Sequence, residues 1–248
     1  MSGAIIITGS SRGIGAATAE LAAARNFPVC VNYRRDHAAA ETLVARIRSK
    51  GGEATAVQAD VTVEADVQRL FDTCEETLGR PRALVNNAGV LETQMKFELQ
   101  QPERWRRVFE TNVMGTLLCA REAVQRMSTR HGGSGGAIVN VSSMASRLGS
   151  PHEYVDYAAS KGAIDTLTIG LAKEVAADGI RVNAVRPGLI HTDMHASGGE
   201  PGRVERLKES TPMKRGGQPD EVAEAILWLL SDAASYVTGT FIEVSGGR

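Results

Sequence analysis

Seven short apolar runs punctuate the chain, separated by longer segments in which apolar positions recur at helical spacing. The first is Ala4-Ile-Ile-Ile-Thr8; the others lie at 28–32, 53–58, 83–86, 137–141, 180–186 and 240–244. Runs this continuous and β-branched suit strands buried on both faces. Helices are expected at the alanine-rich 16–25, at 37–50, 64–78, 102 to about 127, 154–177 and 219–230. Strands and helices alternate with no composition break, linker or repeat. The pattern predicts one α/β domain over 1–248, a doubly wound parallel sheet with helices on both faces. Ligands are expected at the carboxyl ends of its strands.

Turn chemistry sharpens the boundaries. Asp36 reads as the N-cap of the second helix, and Gly51-Gly52 closes it. Pro102 fits the first turn of the long helix, whereas Asn112 stands inside it, where asparagine is locally unfavourable. His131-Gly-Gly-Ser-Gly-Gly136 contains Gly-x-Ser-x-Gly, but the order helix, loop, strand is the wrong context for a nucleophile elbow. It reads as a connector. Residues 193–212 are polar and glycine-bearing, which suits a mobile flap over a site.

Composition narrows the class without naming a chemistry. Hydrophobic residues make up 42% and charged residues 23% of 248, with a formal net charge of −1, so neither nucleic acid nor an anionic membrane is implied as partner. Cys30, Cys74 and Cys119 are scattered, odd in number and without a Cys-x-x-Cys, which suggests neither a disulfide framework nor a zinc cluster. The first strand begins too early for a signal peptide, and no apolar run reaches about 18 residues. A reduced, cytoplasmic protein is expected.

Chemistry gathers at the strand ends. Gly9-Ser-Ser-Arg-Gly13-Ile-Gly15 joins the first strand to the first helix, where backbone N–H groups and a helix N-terminus can face a pyrophosphate. The second strand runs out as Asn32-Tyr33-Arg34-Arg35, offering cations where an NAD-type fold tends to place an acid; an arginine there suits a 2′-phosphate. Asp60, followed by Val61, either bonds an adenine amine or caps the helix at 64–78. Asn86-Asn-Ala-Gly89 ends the fourth strand, its asparagines able to bond across the sheet and Ala88-Gly89 leaving room for a flat ligand.

The fifth strand ends at Ser142-Ser143, and Tyr157 and Lys161 follow at i and i+4 on one helix face. An ammonium beside a phenol is expected to draw the tyrosine pKa from about 10 toward neutrality, as a general acid/base requires. Pro187-Gly188 ends the sixth strand. His191 and His195 are four apart but lack a third ligand at useful spacing, so no metal is expected.

Together, Thr8-Gly-x-x-x-Gly-x-Gly15, Asp60, Asn86-Asn-Ala-Gly89, Asn112, Ser143, Tyr157-x-x-x-Lys161 and Pro187-Gly188 with Thr192 resemble the short-chain dehydrogenase/reductase family in its NADP-using main branch. The resemblance covers essentially the whole chain and extends to 3-oxoacyl-carrier-protein reductase-like and glucose-dehydrogenase-like members. It implies a single Rossmann-like domain, usually tetrameric, that uses NADP(H) to interconvert a small-molecule carbonyl and its alcohol. It implies Tyr157 as proton donor or acceptor, and Lys161 on the nicotinamide ribose, depressing the Tyr157 pKa. Ser143 would polarise the carbonyl and Asn112 hold a water of the proton path. Gly9, Ser11, Arg12, Gly13, Ile14 and Gly15 would line the pyrophosphate and adenosine side, with Tyr33, Arg34, Asp60 and Val61 further along it. Asn87, Ala88, Gly89, Pro187, Gly188, Ile190 and Thr192 would meet the ribose and carboxamide. The interval from Ser143 to Tyr157 is one residue longer than the commonest family spacing of thirteen, with the extra residue expected in 149–154. An intact Ser143/Tyr157/Lys161 set argues against a non-catalytic NADP(H) sensor. A dedicated acyl-carrier-protein reductase would want Arg121, Arg126, Arg130, Arg147 and Arg203 clustered near the site.

Overall fold

The computed structural model describes residues 3–248. Seven strands form one all-parallel sheet: β1 (Ala4–Ile7), β2 (Val29–Tyr33), β3 (Ala54–Gln58), β4 (Pro81–Asn86), β5 (Gly136–Val141), β6 (Ile180–Pro187) and β7 (Phe241–Val244). Their order is β3-β2-β1-β4-β5-β6-β7, so the chain winds one way from β1 and then crosses to wind the other. The register sets Ile5 beside both Val29 and Ala83, Ala83 beside Ala137, and Ile138 beside Val182. Such a reversal between β1 and β4 splays the loops at the carboxyl ends of these two strands and opens a crevice there.

Alternating strand side chains feed two cores, one on each face. Ile5, Ile7, Val29, Val31, Val85 and Val139 pack on α1 (Gly13–Ala24), α2 (His37–Ser49) and, much later in the chain, α10 (Pro219–Leu230). Ile6, Cys30, Leu84, Ile138 and Val182 pack on α3 (Glu64–Leu78), α5 (Gly115–Met127) and α7 (Val155–Val175). Continuous apolar strands are therefore buried on both sides, as the sequence pattern requires. Among the described residues, no helix is long and apolar enough to cross a membrane.

Three local features differ from the sequence expectation. The long helix is α4 (Pro102–Phe109) and α5 joined by a π-helical turn over Glu110–Met114, with Asn112 in its middle. The first helix starts at Gly13, three residues early, because the glycine turn itself enters the helix. Short helices α6 (Ala145–Leu148), α8 (Met194–Ser197) and α9 (Arg203–Leu207) occupy segments read as loop or flap; each is too short to show a period.

Candidate active site

The glycine turn is held open by its neighbours. Gly9 has φ 59°, and a Cβ there would stand 2.9 Å from the Ala88 Cα, so only glycine lets β1 and β4 approach this closely. Thr8 Oγ1 accepts from the N–H groups of Asn87 and Ala88, both at 3.0 Å. In return, Asn87 Nδ2 donates to the carbonyls of Thr8 and Gly9 at 2.9 and 3.0 Å. Asn32, buried in β2, accepts from the Gly9 N–H at 3.0 Å and donates to the Ala59 carbonyl at 3.1 Å. This tie was missed in the sequence, although a polar residue inside an apolar run is the signal for it. The first turn of α1 has no acidic side chain, and Arg12 gives no side-chain cap, so its N–H groups remain available to an anion.

This turn forms one wall of a cavity of ≈ 490 Å³ in the crevice. Gly9, Ser11, Arg12, Gly13 and Ile14 line that wall. Tyr33, Arg34, Asp60 and Val61 line the β2–β3 side, and Asn87, Ala88 and Gly89 the β4 side. Gly15 is buried beneath the wall, where a Cβ would stand 2.5 Å from Asn87 Nδ2. Asp36 caps α2, accepting from the Ala39 N–H at 3.0 Å. Asp60 does not cap α3, whose N-cap is Val63. It accepts from Thr62 and pairs with Arg34 at 2.8 Å. Arg35, outside the expected set, also lines the cavity. The dimensions and the glycine wall fit a nicotinamide dinucleotide, with Arg12, Arg34 and Arg35 sharing the lining with Asp36, Asp60 and Asp193.

A second cavity of ≈ 130 Å³ continues from the first past Ile14, Asn87 and Thr192. It is lined by Ser143, Tyr157 and Lys161, by Pro187 at the end of β6, and by Gly188 and Ile190 beyond it. The three chemical groups converge here from separate elements. Ser143 follows β5, and its hydroxyl accepts from the Ala145 N–H at 3.1 Å while lying close enough to the Tyr157 phenol to favour the phenolate. Ser142 also lines this cavity, but its hydroxyl is engaged, donating to Asp165 at 2.6 Å and to the Lys161 carbonyl at 3.3 Å. Lys161 is only 5% exposed and donates to the Val141 carbonyl at 2.7 Å.

The expected Tyr157 pKa is corrected by this packing. The phenol is pushed up to about 12, chiefly because burial disfavours the phenolate; the Ser143 bond opposes that only in part. Lys161 Nζ lies 5.6 Å from the Tyr157 ring centroid, and burial lowers its own pKa to about 8. In the chain alone, the tyrosine is therefore held protonated.

Asn112 also departs from expectation. It lines neither cavity and is 1% exposed. Its Oδ1 accepts from the Val90 N–H at 2.8 Å, while Nδ2 donates to the Val90 carbonyl at 3.1 Å and to Ser160 Oγ at 3.0 Å. The side-chain amide is thus spent tying the π turn to the β4 loop and α7. Sequence reasoning also missed Arg104, which forms a buried two-bond pair with Asp156, next to Tyr157, at 2.7 and 3.1 Å. The five arginines weighed for a docking patch do not act as one: Arg126 and Arg130 are paired to acids around α3 and α7, and only Arg203 lines the cavity.

Comparison with known proteins places the whole arrangement. The family model described as enoyl-(acyl carrier protein) reductase matches residues 9–248. An Escherichia coli K12 protein described as the uncharacterized oxidoreductase YgfF is 60% identical over 98% of both chains. Glucose 1-dehydrogenase 2 of Bacillus subtilis is 40% identical over 98% of this chain and 93% of that one. A 3-oxoacyl-[acyl-carrier-protein] reductase of Synechocystis is 40% identical over 98% and 95% respectively. A solved Serratia marcescens short-chain dehydrogenase/reductase, carrying a double phenylalanine-to-leucine substitution, superposes with a TM-score of 0.90 at 29% identity, over 99% of this chain and 97% of that one. The chain belongs to the short-chain dehydrogenase/reductase family of oxidoreductases.

Proposed function

We propose that the protein is an NADP(H)-dependent oxidoreductase in which Tyr157 acts as general acid/base on a small carbonyl compound or secondary alcohol. The observation that carries this is the convergence of Ser143, Tyr157 and Lys161 on one cavity that continues from the dinucleotide-sized crevice. One catalytic domain spans the chain. Arg12, Arg34 and Arg35 stand at the crevice rim, where a 2′-phosphate would meet them, and Asp36, which also lines the rim, engages a carboxylate oxygen in its helix cap. The Arg34–Asp60 pair leaves the Arg34 side chain half exposed and able to serve both partners.

When bound, the nicotinamide supplies or accepts the hydride. Ser143 donates to the carbonyl oxygen and polarises it. As that oxygen gains charge, Tyr157 delivers its phenolic proton there, so C=O becomes H–C–O–H; oxidation runs the same path in reverse. A phenol held protonated suits the reducing direction. Lys161, beneath the ring, offers its ammonium to the nicotinamide ribose and stabilises the phenolate left behind. The Arg104–Asp156 pair holds the first turn of α7, and with it Tyr157, in register with the β4 loop.

The relatives named for glucose and for 3-oxoacyl-carrier-protein mark two substrate classes to test. We place the enzyme in the cytoplasm, in keeping with three buried, unpaired cysteines, and read its assembly as a homotetramer. The test is reduction of a panel of aldehydes, diketones, sugars and 3-oxoacyl thioesters with NADPH and NADH. Tyr157→Phe should bind cofactor nearly normally and lose about 10²–10⁴-fold in turnover. NADPH should be preferred at least about tenfold in kcat/KM, and Arg34→Ala and Arg12→Ala should each reduce that preference. Near-normal turnover by Tyr157→Phe, or equal use of both cofactors by the wild type, would overturn the respective assignment.

A further inference from the structure

The smaller cavity carries a charge imbalance that the proposed chemistry does not use. Lys161, Arg203 and Arg248 line it, and among the described residues no aspartate or glutamate does. Lys161 serves the reaction. Arg203 is compensated outside the cavity: it donates to Glu153 and, at 3.1 Å, to Glu200, and its guanidinium lies 5.0 Å from the Tyr154 ring centroid. Arg206 pairs with the same two acids, so these four side chains sum to zero.

Arg248 has no such partner. Among the described residues its guanidinium forms no ion pair or hydrogen bond; the backbone alone is tied, N–H to the Ser245 carbonyl at 3.4 Å and carbonyl to Ser245 Oγ at 3.3 Å. The fold nevertheless delivers this side chain to the cavity. Gly246 and Gly247 have φ of 64° and 88°. Cβ atoms on them would stand 2.8 Å from Thr211 and 3.1 Å from Pro212. Only a glycine pair makes this turn beneath the 211–213 segment. The Met213 N–H fixes it by donating to the Gly246 carbonyl at 3.1 Å.

We infer that Arg248 makes the substrate end of the cleft an anion site, so that the reacting carbonyl or hydroxy compound carries a carboxylate or phosphate group. This inference rests on the oxidoreductase reading for the identity of the reacting group. A half-buried guanidinium that makes no direct ion pair is costly, and a bound anion relieves that cost with charge-assisted, two-point bonding. Burial, first of all, and then Arg203 push the Arg248 pKa down, and Glu153 opposes them only in part. The remaining wall is apolar, with Leu91, Leu148, Leu189 and Met194, and the cavity is small. A short oxo acid or phosphorylated ketone fits this wall and charge; an uncharged polyol leaves the cation unmet.

The test is calorimetric binding of two matched pairs, 3-hydroxybutanoate with its methyl ester and dihydroxyacetone phosphate with dihydroxyacetone. Wild type, Arg248→Gln and Arg248→Lys are compared, and turnover is read separately, with NADP+ and NAD+ for the hydroxy pair and with NADPH and NADH for the ketone pair. The anionic member of at least one pair should bind at least about tenfold tighter than its neutral partner, and the responding pair tells carboxylate from phosphate. Arg248→Gln should cut that ratio at least about fivefold, and Arg248→Lys should restore part of it. Binding without anion preference in the wild type, no binding of either anion, or a ratio unchanged in Arg248→Gln overturns the inference. Arg248-dependent anion binding with no turnover of any compound strikes the oxidoreductase reading alone. Turnover of the neutral partners with no anion preference strikes the anion site alone.

Discussion

At the scale of single residues, Lys161 shows what the proposed chemistry costs the fold. An ammonium that is 5% exposed has lost most of its hydration, and one carbonyl bond to Val141 does not replace it. Burial lowers its pKa from 10.5 to about 8, a penalty on the order of 3 kcal/mol. The sign follows from proton counting. Below about pH 8 the folded and unfolded chains both hold the proton, and the full penalty stands. Between about pH 8 and 10.5 the unfolded chain binds more protons, so stability attributable to Lys161 rises with pH. Tyr157 acts oppositely, losing stability only between about pH 10 and 12, where the unfolded phenol ionises first. Urea unfolding of wild type and Lys161→Met, without cofactor, should therefore give a stability difference that shifts in favour of the wild type by roughly 2 kcal/mol from about pH 7 to about pH 9.5. A difference constant over that range would show that Lys161 is not the strained group. The i, i+4 spacing made the Tyr157–Lys161 pair legible in sequence. The direction of the tyrosine shift was not, because it depends on the burial of both side chains and on where the ammonium points.

At the scale of elements, the flap is more structured than its glycine-rich composition suggests. Helices α8 and α9 are tied to the loop before α7 by several contacts. Tyr154 donates to the Gly198 carbonyl at 3.4 Å, Gln94 donates to Glu200, and Arg203 and Arg206 bridge Glu153 and Glu200. Arg206, first, and Arg203 hold Glu200 down to about 2 against the opposing effect of burial. The folded carboxyl pKa is depressed, so its contribution is complete above the ordinary carboxylate range and disappears only as pH falls toward about 2. The Glu200 ties should thus be insensitive to pH from about 5 to 8. Arg206 is half exposed, and solvent screening limits the ties to about 1 kcal/mol. Glu200→Gln should raise amide exchange across 194–207 roughly fivefold and raise KM more than it lowers kcat, with little change in global melting. Unchanged protection of α8 and α9 in that variant would remove Glu200 from the closure. These ties were hidden in sequence for the same reason as Arg104–Asp156: the partners lie 50 and 52 positions apart, and no local period records such pairs. The strands, by contrast, were plain, because burial on both faces leaves its mark in consecutive residues. The π turn lay between these cases. Asn112 stood out as an unfavourable residue in a helix, yet its reason, the amide bonds to Val90 and Ser160, comes from other elements.

At the scale of the whole molecule, one face remains apolar. Phe109, Met114 and Leu117 along the α4–α5 helix and Ile169 on α7 are 38%, 44%, 38% and 42% exposed. These helices are the ones whose sequence suggested pairing with copies of themselves, and the proposed homotetramer would bury this face in isologous, twofold contacts. Burial of one such side chain contributes about 1.5–3 kcal/mol, and a twofold axis counts each substitution twice. Glutamate at position 117 or 169 should therefore weaken that interface on the order of a hundredfold or more, before the added cost of a buried charge. Light scattering at micromolar concentration should give a tetramer mass for the wild type and a smaller species for Leu117→Glu and Ile169→Glu. Both positions stand outside the two cavities, so the variants should keep cofactor binding when measured per chain. A wild-type monomer would reject the assembly. A wild-type tetramer unmoved by either glutamate would keep the assembly but transfer its interface to another face, such as the one bearing exposed Trp228 and Tyr236.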